Sequence, residues 1–365
     1  MTVLLFLAVL FVLILVHEWG HYITAKKTGM QVDEFGIGFP PKVYGKKIGE
    51  TEYTLNALPI GGFVRIAGEN AEDIATGESD NPRSFVHKSK WAQALVLIAG
   101  VAMNVIFAWL IYVIIFMVGV PTVTEESAAP AGTPLTIVAL APNSPAAEAG
   151  VPVGATITGV SAGSSTLATL APAPFQTFIA EHARSSIELT FQQADDTQTV
   201  SVTPATGIVP DAPERPVIGV SVGFLVTESL GLFAAIRKAS TNTIEMLGAV
   251  TVGLWTLLSQ AVVGEGDLSQ VAGPVGIAGM VGDAAAIGFT SLLLFTAFIS
   301  LNLAVINMLP FPALDGGRLV MVAIEAVTRR PINPAWVLRV NTVGIILLLG
   351  LMVLVTVNDI LRLVG

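Results

Sequence analysis

Two histidines four residues apart with a glutamate beside the first, His17-Glu18-Trp19-Gly20-His21, set the chemistry this chain could do. On a helix, positions i and i+4 share a face, so His17 and His21 present two imidazoles to one metal ion, and Glu18 stands ready as a base for water at that ion. A hydrolytic metal site keeps one position for water and needs a third ligand from elsewhere in the chain. The 365 residues include no cysteine, so thiolate ligands, iron–sulfur clusters, disulfides and a thiol nucleophile are excluded, and the third ligand is nitrogen or oxygen. The candidate is Asp315, in Asn307-Met308-Leu309-Pro310-Phe311-Pro312-Ala313-Leu314-Asp315-Gly316-Gly317. Pro310 and Pro312 stop a helix and free backbone groups, and Gly316-Gly317 permits close backbone approach. Taken singly, the histidines could be a structural pair at a helix end and Asp315 a helix N-cap.

The elements that must bring these residues together are apolar. Hydrophobic residues make up 53% of the chain and charged residues 12%, with a mean hydropathy of +0.74, against roughly a quarter charged in soluble domains. A net charge of −9 argues against a surface for nucleic acid. Four stretches reach the roughly 20 residues that a spanning helix needs: Thr2 to Ala25, Trp91 to Gly119, Ala286 to Leu309, and Leu338 to Leu361. The first lacks a basic leader and a small-residue cleavage site, and it ends in His17, Glu18 and His21, so it reads as a retained helix. Met246 to Leu258 is apolar but short, and is expected to lie on the outer membrane surface.

Basic residues near helix ends stay on the cytoplasmic side. Lys26, Lys27, Lys42, Lys46, Lys47, Arg65, Arg83, Lys88 and Lys90 follow the first span, and Arg318, Arg329, Arg330 and Arg339 follow the third. Both segments are therefore expected inside, with the long middle connection and both termini outside. This topology brings Asp315 to the same side as the histidines, although it was derived from Lys and Arg alone.

Residues 125–228 are richer in Pro, Ser, Thr and Ala. Short β-branched runs (Thr133 to Leu140, Ala155 to Val160, Ile187 to Phe191, Thr199 to Val202) alternate with helical turns near Pro145 to Ala149 and Phe175 to Arg184, as in a small α+β domain. In the first loop, Tyr53 to Leu58 and Gly62 to Ile66 alternate in polarity around Pro59 and Gly61-Gly62, which predicts a hairpin. It is either re-entrant, with Leu55 and Leu58 on the strand that offers its edge to an unwound peptide, or an ordinary cytoplasmic hairpin.

Together, His17 to His21 and Asn307-x-x-Pro310-x-Pro312-x-Leu314-Asp315-Gly316 resemble the two signatures of the site-2 protease (M50-type) intramembrane metalloproteases. The resemblance extends to Gly100-x-x-x-Asn104, Gly36-Ile37-Gly38-Phe39, the hairpin, and Gly273-Pro274-Val275-Gly276-Ile277. It also takes in Pro142 to Val151 with Gly154 and Ile157, which resembles a PDZ domain of bacterial envelope proteases and departs from it at Ala155. Within the family the chain is most similar to the regulator of sigma-E protease group, and to its single-PDZ bacterial members, such as those of actinobacteria.

The fold so implied is a polytopic α-helical membrane protein of about four transmembrane helices, with a membrane-associated β-hairpin and an inserted extracytoplasmic PDZ-like α+β domain. Its parts would be residues 1–120 and 286–365 as the two halves of the catalytic core, 125–228 as the PDZ-like domain, and 229–285 as an amphipathic linker on the membrane surface. The resemblance implies one zinc ion per chain held by His17, His21 and Asp315, with Glu18 as general base and Asn307 and Asn104 positioning the substrate. Both asparagines also read as interhelical hydrogen-bond partners. Two His and one Asp would also suit cobalt or iron. The implied substrates are single-span membrane proteins already trimmed on the outer side, such as anti-sigma factors or signal-peptide remnants, in the bacterial cell membrane with the active site near the cytoplasmic face. A non-catalytic PDZ scaffold is the alternative, and a metal transporter a third reading. Glu18 speaks against the scaffold, because a structural metal site needs no base.

Overall fold

The computed structural model describes residues 2–69, 81–124, 129–130, 132–141, 144–193, 196–208, 214–264 and 271–364. They form two units, Met1–Ile115 with Gly231–Gly365, and Phe116–Leu230.

In the first unit, α1 (Thr2–Lys27) and α2 (Lys90–Val118) are proline-free apolar helices where the first two spans were expected. Each buries one stripe at helical spacing: Leu13, His17, Gly20, His21 and Ala25 on α1, and Gln93, Leu97, Gly100, Asn104 and Ala108 on α2. Outside the stripes, Val3, Leu4, Ile106 and Ile114 are exposed, as surface that lipid covers.

Between the two helices in sequence run two long bent strands, β1 (Val32–Ile48) and β2 (Thr51–Ile66). A hairpin is present, but Tyr53 to Leu58 and Gly62 to Ile66 do not pair with one another as expected. The first part of β1 lies between them: Gly36 has Thr54 on one side and Phe63 on the other, and Ile37 has Leu55 and Gly62. The second part of β1 then returns along Tyr53 to Leu58, pairing Tyr44 with Leu55 and Lys46 with Tyr53. Gly38, at φ 81°, turns β1 between its two parts, and a side chain there would strike the Leu58 carbonyl. The sheet thus has four runs, and its edges are Gly62 to Ile66 and Lys42 to Ile48. Leu55 and Leu58 belong to an inner run.

The sheet lies along α1. At its turn, Glu50 accepts hydrogen bonds at 2.6 Å from Arg83 and from Lys26 at the end of α1. These two cations, Arg83 foremost, hold the Glu50 carboxyl down to about 2. Because that value lies below the usual 4.5, the tie is fully present at neutral pH and fades only in strong acid. Midway, the Tyr22 and Tyr53 hydroxyls meet at 2.5 Å, and at the far end Gly61 packs beside Ile14. Ile14 and Lys26 are twelve residues apart, so the sheet follows α1 for about 18 Å. Under its open end, Ala25, Met30, Val32, Ile66, Val96 and Val322 close a buried apolar cluster.

The first unit continues with α5 (Leu232–Val263), α6 (Pro274–Ile287), α7 (Phe289–Asn307), α8 (Asp315–Thr328) and α9 (Pro334–Val364). Among the described residues five helices, not four, are long and apolar enough to cross a membrane: α1, α2, α5, α7 and α9. Met246 to Leu258 is only part of α5. Its polar residues mark no helix end because they are used in packing: Ser240 accepts from the Trp109 indole at 3.0 Å, and Asn242 bonds Tyr112. In α9, buried Asp359 accepts from the Gly273 and Gly276 amides at 3.2 and 2.8 Å. A carboxylate so placed satisfies unpaired donors at the start of α6 and lies at its positive end.

The second unit is an antiparallel sheet in the order β3 (Val120–Thr124), β9 (Val220–Glu228), β4 (Leu135–Leu140), β5 (Thr156–Ala162), β7 (Ile187–Gln193), β8 (Asp196–Val202), with β6 (Ser165–Thr166) beside β5. α3 (Pro145–Glu148) starts at Ser144, whose hydroxyl accepts from the Ala147 amide. α4 (Pro172–Glu181) buries Phe175, Phe178 and Ile179 against Ile157, Ile187, Leu189 and Phe191 of the sheet. The four strands and two helical turns read from the sequence are all present. The outer pair β3 and β9 was not singled out, and Pro142 and Asn143 of the PDZ-like motif lie outside the described residues.

Asp359→Ala leaves two amides at the start of α6 without their acceptor and should lower stability by about 1–3 kcal/mol. Asp359→Asn, which keeps an acceptor, should cost less. Thermal unfolding in detergent micelles reads both, and an unchanged midpoint in Asp359→Ala would remove the clamp from this account.

Candidate metal centre

His17 and His21 lie on the buried face of α1, and Asp315 opens α8. Their ligand atoms form a tight triangle: His17 Nε2 to Asp315 Oδ2 is 3.0 Å, His21 Nε2 to Asp315 Oδ2 is 3.4 Å, and the two Nε2 atoms are 3.1 Å apart. Zinc with ligands at about 2.0–2.1 Å in tetrahedral array has ligand–ligand edges of about 3.3 Å. Asp315 Oδ2 is buried, and the two imidazole nitrogens are the groups that face it, so the three potential ligand atoms converge on one point. Among the described residues this is the one cluster of His, Asp and Glu side chains with such geometry. The donor set of two nitrogens and one oxygen, open toward a cavity, fits a hydrolytic zinc ion.

Backbone contacts make the triangle possible. A Cβ on Gly100 of α2 would stand 2.3 Å from His21 Nε2 and 2.8 Å from His17 Cε1, and a Cβ on Gly20 would stand 2.4 Å from the Ala99 carbonyl. Glycine at these two positions lets α1 and α2 close until both imidazoles sit against bare backbone. His21 Nδ1 donates to the Val96 carbonyl at 2.9 Å, which leaves Nε2 with its lone pair toward the metal position. On the third ligand's side, Cβ atoms on Gly316 and Gly317 would collide with the carbonyls of Met308, Leu309 and Phe311, so the turn before α8 folds tightly on itself as Gly316-Gly317 promised. Ala313 completes that turn in the left-handed region at φ 73°, a conformation that costs a non-glycine residue about 1 kcal/mol or more.

A cavity of about 320 Å³ opens from the triangle, lined by His17, Glu18, His21 and Asp315, by Phe63, Val64 and Arg65 of β2, and by Glu69 and Arg318. Glu18 is thus in the same space as the ligands, beneath Gly62. The sheet edge Gly62 to Ile66 forms one wall of this cavity. An ion pair between Glu69 and Arg318 joins the end of that edge to α8. Asn307 ends α7 half-buried, outside the cavity lining. Asn104 is fully buried, also outside the lining, with an amide nitrogen 3.4 Å from His17 Nδ1. The sequence reading missed Arg65, Glu69, Arg318 and the Val96 carbonyl. None belongs to a chemical motif, and a backbone carbonyl has no signature at all.

Residues 5–351 match the model of Peptidase family M50, and the chain belongs to that family. It is a zinc metalloprotease of the site-2 type and a multi-pass membrane protein. It is 37% identical over 350 residues to a Clostridium perfringens protein named "Putative zinc metalloprotease", covering 96% of this chain and 95% of that one. To the regulator of sigma-W protease RasP of Bacillus subtilis it is 30% identical over 437 residues, covering 99% of each chain. The solved PDZ domain of an SdrC-like protein from Listeria monocytogenes aligns at 14% identity over 26% of this chain and 90% of that one, with a TM-score of 0.21, too low to bear on the fold.

Gly100→Ala should push both imidazoles off the triangle and lower zinc affinity at least tenfold, while Gly248→Ala, in open space, should leave it unchanged. Competition of the purified variants against a zinc-chelating dye measures this. Equal affinities would show that α1 and α2 can separate at no cost.

Proposed function

We propose that the chain cleaves single-span membrane proteins within their transmembrane segments, as in regulated intramembrane proteolysis of anti-sigma factors or removal of signal-peptide remnants. The carrying observation is that one cavity holds three ligand atoms, a glutamate and a free sheet edge. His17, His21 and Asp315 hold one zinc ion per chain. When bound, zinc supplies Lewis acidity that lowers the pKa of water and polarises the scissile carbonyl. Glu18 takes the proton of the attacking water and returns it to the leaving amine. The resemblance assigns Asn307 as a neutral donor to the developing oxyanion, a role it would have to fill from the end of α7, outside the cavity lining.

A substrate helix hides its amides in its own hydrogen bonds, so it must unwind to be cut, and unwound amides in hydrocarbon need partners. We assign that role to the edge Gly62 to Ile66, which takes the extended segment by strand addition and holds its carbonyl near the ligand triangle. The sheet is re-entrant on this reading. Support comes from its course along α1 from Lys26 to Ile14, with charged Glu50, Lys46 and Lys47 toward the first and exposed Phe39, Leu55 and Leu58 toward the second. The opposite edge begins at Pro40-Pro41, which have no amide hydrogens to offer a strand, so addition is directed to the cavity side.

Four crossings fit this geometry best, with α5 on the outer membrane surface and both termini outside. Lys90, at the start of α2, bonds Glu325 of α8 at 2.6 Å, and Asp315 meets the end of α1, so these points share one side. A crossing by α5 would need a return before α7, and α6, at 14 residues, is too short to supply it. The domain of residues 125–228 then lies outside and acts as a PDZ-like filter or peptide sensor that admits trimmed substrates.

Co-expression with tagged single-span candidates tests the chemistry. Glu18→Gln should abolish cleavage and retain zinc, whereas Asp315→Asn should lose both. Processing by Glu18→Gln at the wild-type rate would leave a non-catalytic scaffold as the better reading.

The edge has its own test. The amides of neighbouring residues in a strand point to opposite sides, so one of Phe63→Pro and Val64→Pro removes only a donor on the cavity side. That variant should lose cleavage with its zinc intact, and Val43→Pro on the other edge should not. Full activity in both cavity-side prolines would exclude strand addition there.

A further inference from the structure

Resting on the zinc reading above, we infer that Asn104 is a positioning residue that fixes the tautomer of His17, and so decides whether its Nε2 can ligate. The imidazole has two nitrogens, and in its neutral form only one bears hydrogen. Nε2 is the atom in the ligand triangle, so Nδ1 must carry the N–H. The group facing Nδ1 is the Asn104 amide, 3.4 Å away and fully buried on α2. Oriented with its NH2 toward Nδ1, the amide would oppose one donor with another, or hold Nδ1 as an acceptor and put the hydrogen on Nε2, where it blocks the metal.

Amide nitrogen and oxygen occupy nearly the same shape, and their assignment follows from the hydrogen bonds they can make. Asn104 Oδ1 is buried without a donor. Turning the amide by half a rotation puts Oδ1 on the His17 N–H and leaves at most an unmatched amide N–H where an unmatched oxygen was. One charge-free hydrogen bond is gained, and the ring is set with its lone pair toward Asp315 and His21. His21 already has the equivalent arrangement through the Val96 carbonyl. α2 therefore orients both ligands, one with main chain and one with a side chain. Asn104 is itself held in place: Ser300 of α7, wholly buried, donates to the Asn104 carbonyl at 2.8 Å. That contact uses backbone, so substitution of the side chain leaves it intact.

A residue that merely packs and one that orients a ligand respond oppositely to two replacements. Leucine keeps the branched shape and heavy-atom count of Asn104 at a larger volume and removes the acceptor, whereas aspartate keeps an acceptor for the His17 N–H and adds charge. Zinc affinity of the full chain in micelles should fall ten- to a hundredfold in Asn104→Leu and stay within about threefold of wild type in Asn104→Asp. Wild-type affinity in Asn104→Leu would overturn the proposal.

A second measurement needs neither metal nor a change at Asn104. The chain has only four histidines, so the ¹⁵N–¹H couplings of His17 in metal-free wild type can be assigned by single replacements. They should show hydrogen on Nδ1, and hydrogen on Nε2 overturns the proposal even if Asn104→Leu fails to fold. A wild-type chain that binds no zinc yet carries hydrogen on Nδ1 would refute the enzyme reading and sustain the role of Asn104.

Discussion

Three electron-rich atoms held within 3.4 Å of one another at membrane depth are the constraint from which the rest of the first unit follows. Where both imidazoles turn a lone pair toward the carboxylate the three repel, so the arrangement needs a backbone that holds it in place and is relieved by a cation such as the proposed zinc. The forcing is visible at each ligand. Gly20 and Gly100 remove the Cβ atoms that would keep α1 and α2 apart, the turn from Leu309 to Gly317 is folded until carbonyls touch its glycines, and Ala313 holds a left-handed conformation. These are places where sequence-level preferences are broken. Glycine inside a helix costs about 1 kcal/mol relative to alanine, which the close approach must repay through packing and ligand geometry. The apolar cluster of Ala25, Met30, Val96 and Val322, drawn from the ends of α1, α2 and α8, supplies rigid support beneath.

The sheet answers a second constraint, that backbone polar groups need partners wherever lipid replaces water. Folding two long strands into four runs gives both inner runs a neighbour on each side and leaves two edges to manage. The two are unequal. One begins with consecutive prolines and carries lysines toward the charged end of α1, as an edge built to meet headgroups rather than another strand. The other stands in the wall of the catalytic cavity with Gly61-Gly62 at its start, where small residues allow a second backbone to come near. On the proposed reading, a single sheet would separate lipid contact from substrate contact.

The candidate ligands were legible in the sequence because their chemistry fixes residue type and spacing: an i, i+4 pair puts two imidazoles on one helical face, and Lys and Arg counts gave the expectation that Asp315 shares that side. The runs of β2 were legible as strands, yet their pairing was not. Val32 to Ile37 breaks alternation at Asp33-Glu34 and gave no strand signal, and alternation in Tyr53 to Leu58 says which face is buried without saying which neighbour is bonded. For α5 the misreading has a different cause. Arg237, Lys238 and Glu245 resemble a boundary to a hydropathy window, but they are good helix formers, and Ser240 and Asn242 find partners on α2, so the helix runs through them. Asn104 was visible as a polar residue in a span. Its direction, behind His17 and away from the cavity, depends on how closely α2 approaches α1, which Gly100 sets and no local pattern records.

A protease of this kind must solve two problems that oppose each other. Water has to reach the scissile bond, and the substrate's freed amides have to be kept from hydrocarbon. On the proposed topology, Glu18 and the ligand triangle lie toward the cytoplasmic end of α1 and within reach of water along a cavity lined by Arg65, Glu69 and Arg318. On the proposed re-entrant placement, the sheet continues past Glu18 as far as Ile14, about 6 Å further along α1, and gives an unwound segment hydrogen-bonding partners there. Chemistry can then stay at the wet end while unwinding is stabilised at the dry end. If the sheet is re-entrant as proposed, its course along α1, more than the candidate ligand set, is what would suit this chain to substrates inside a bilayer.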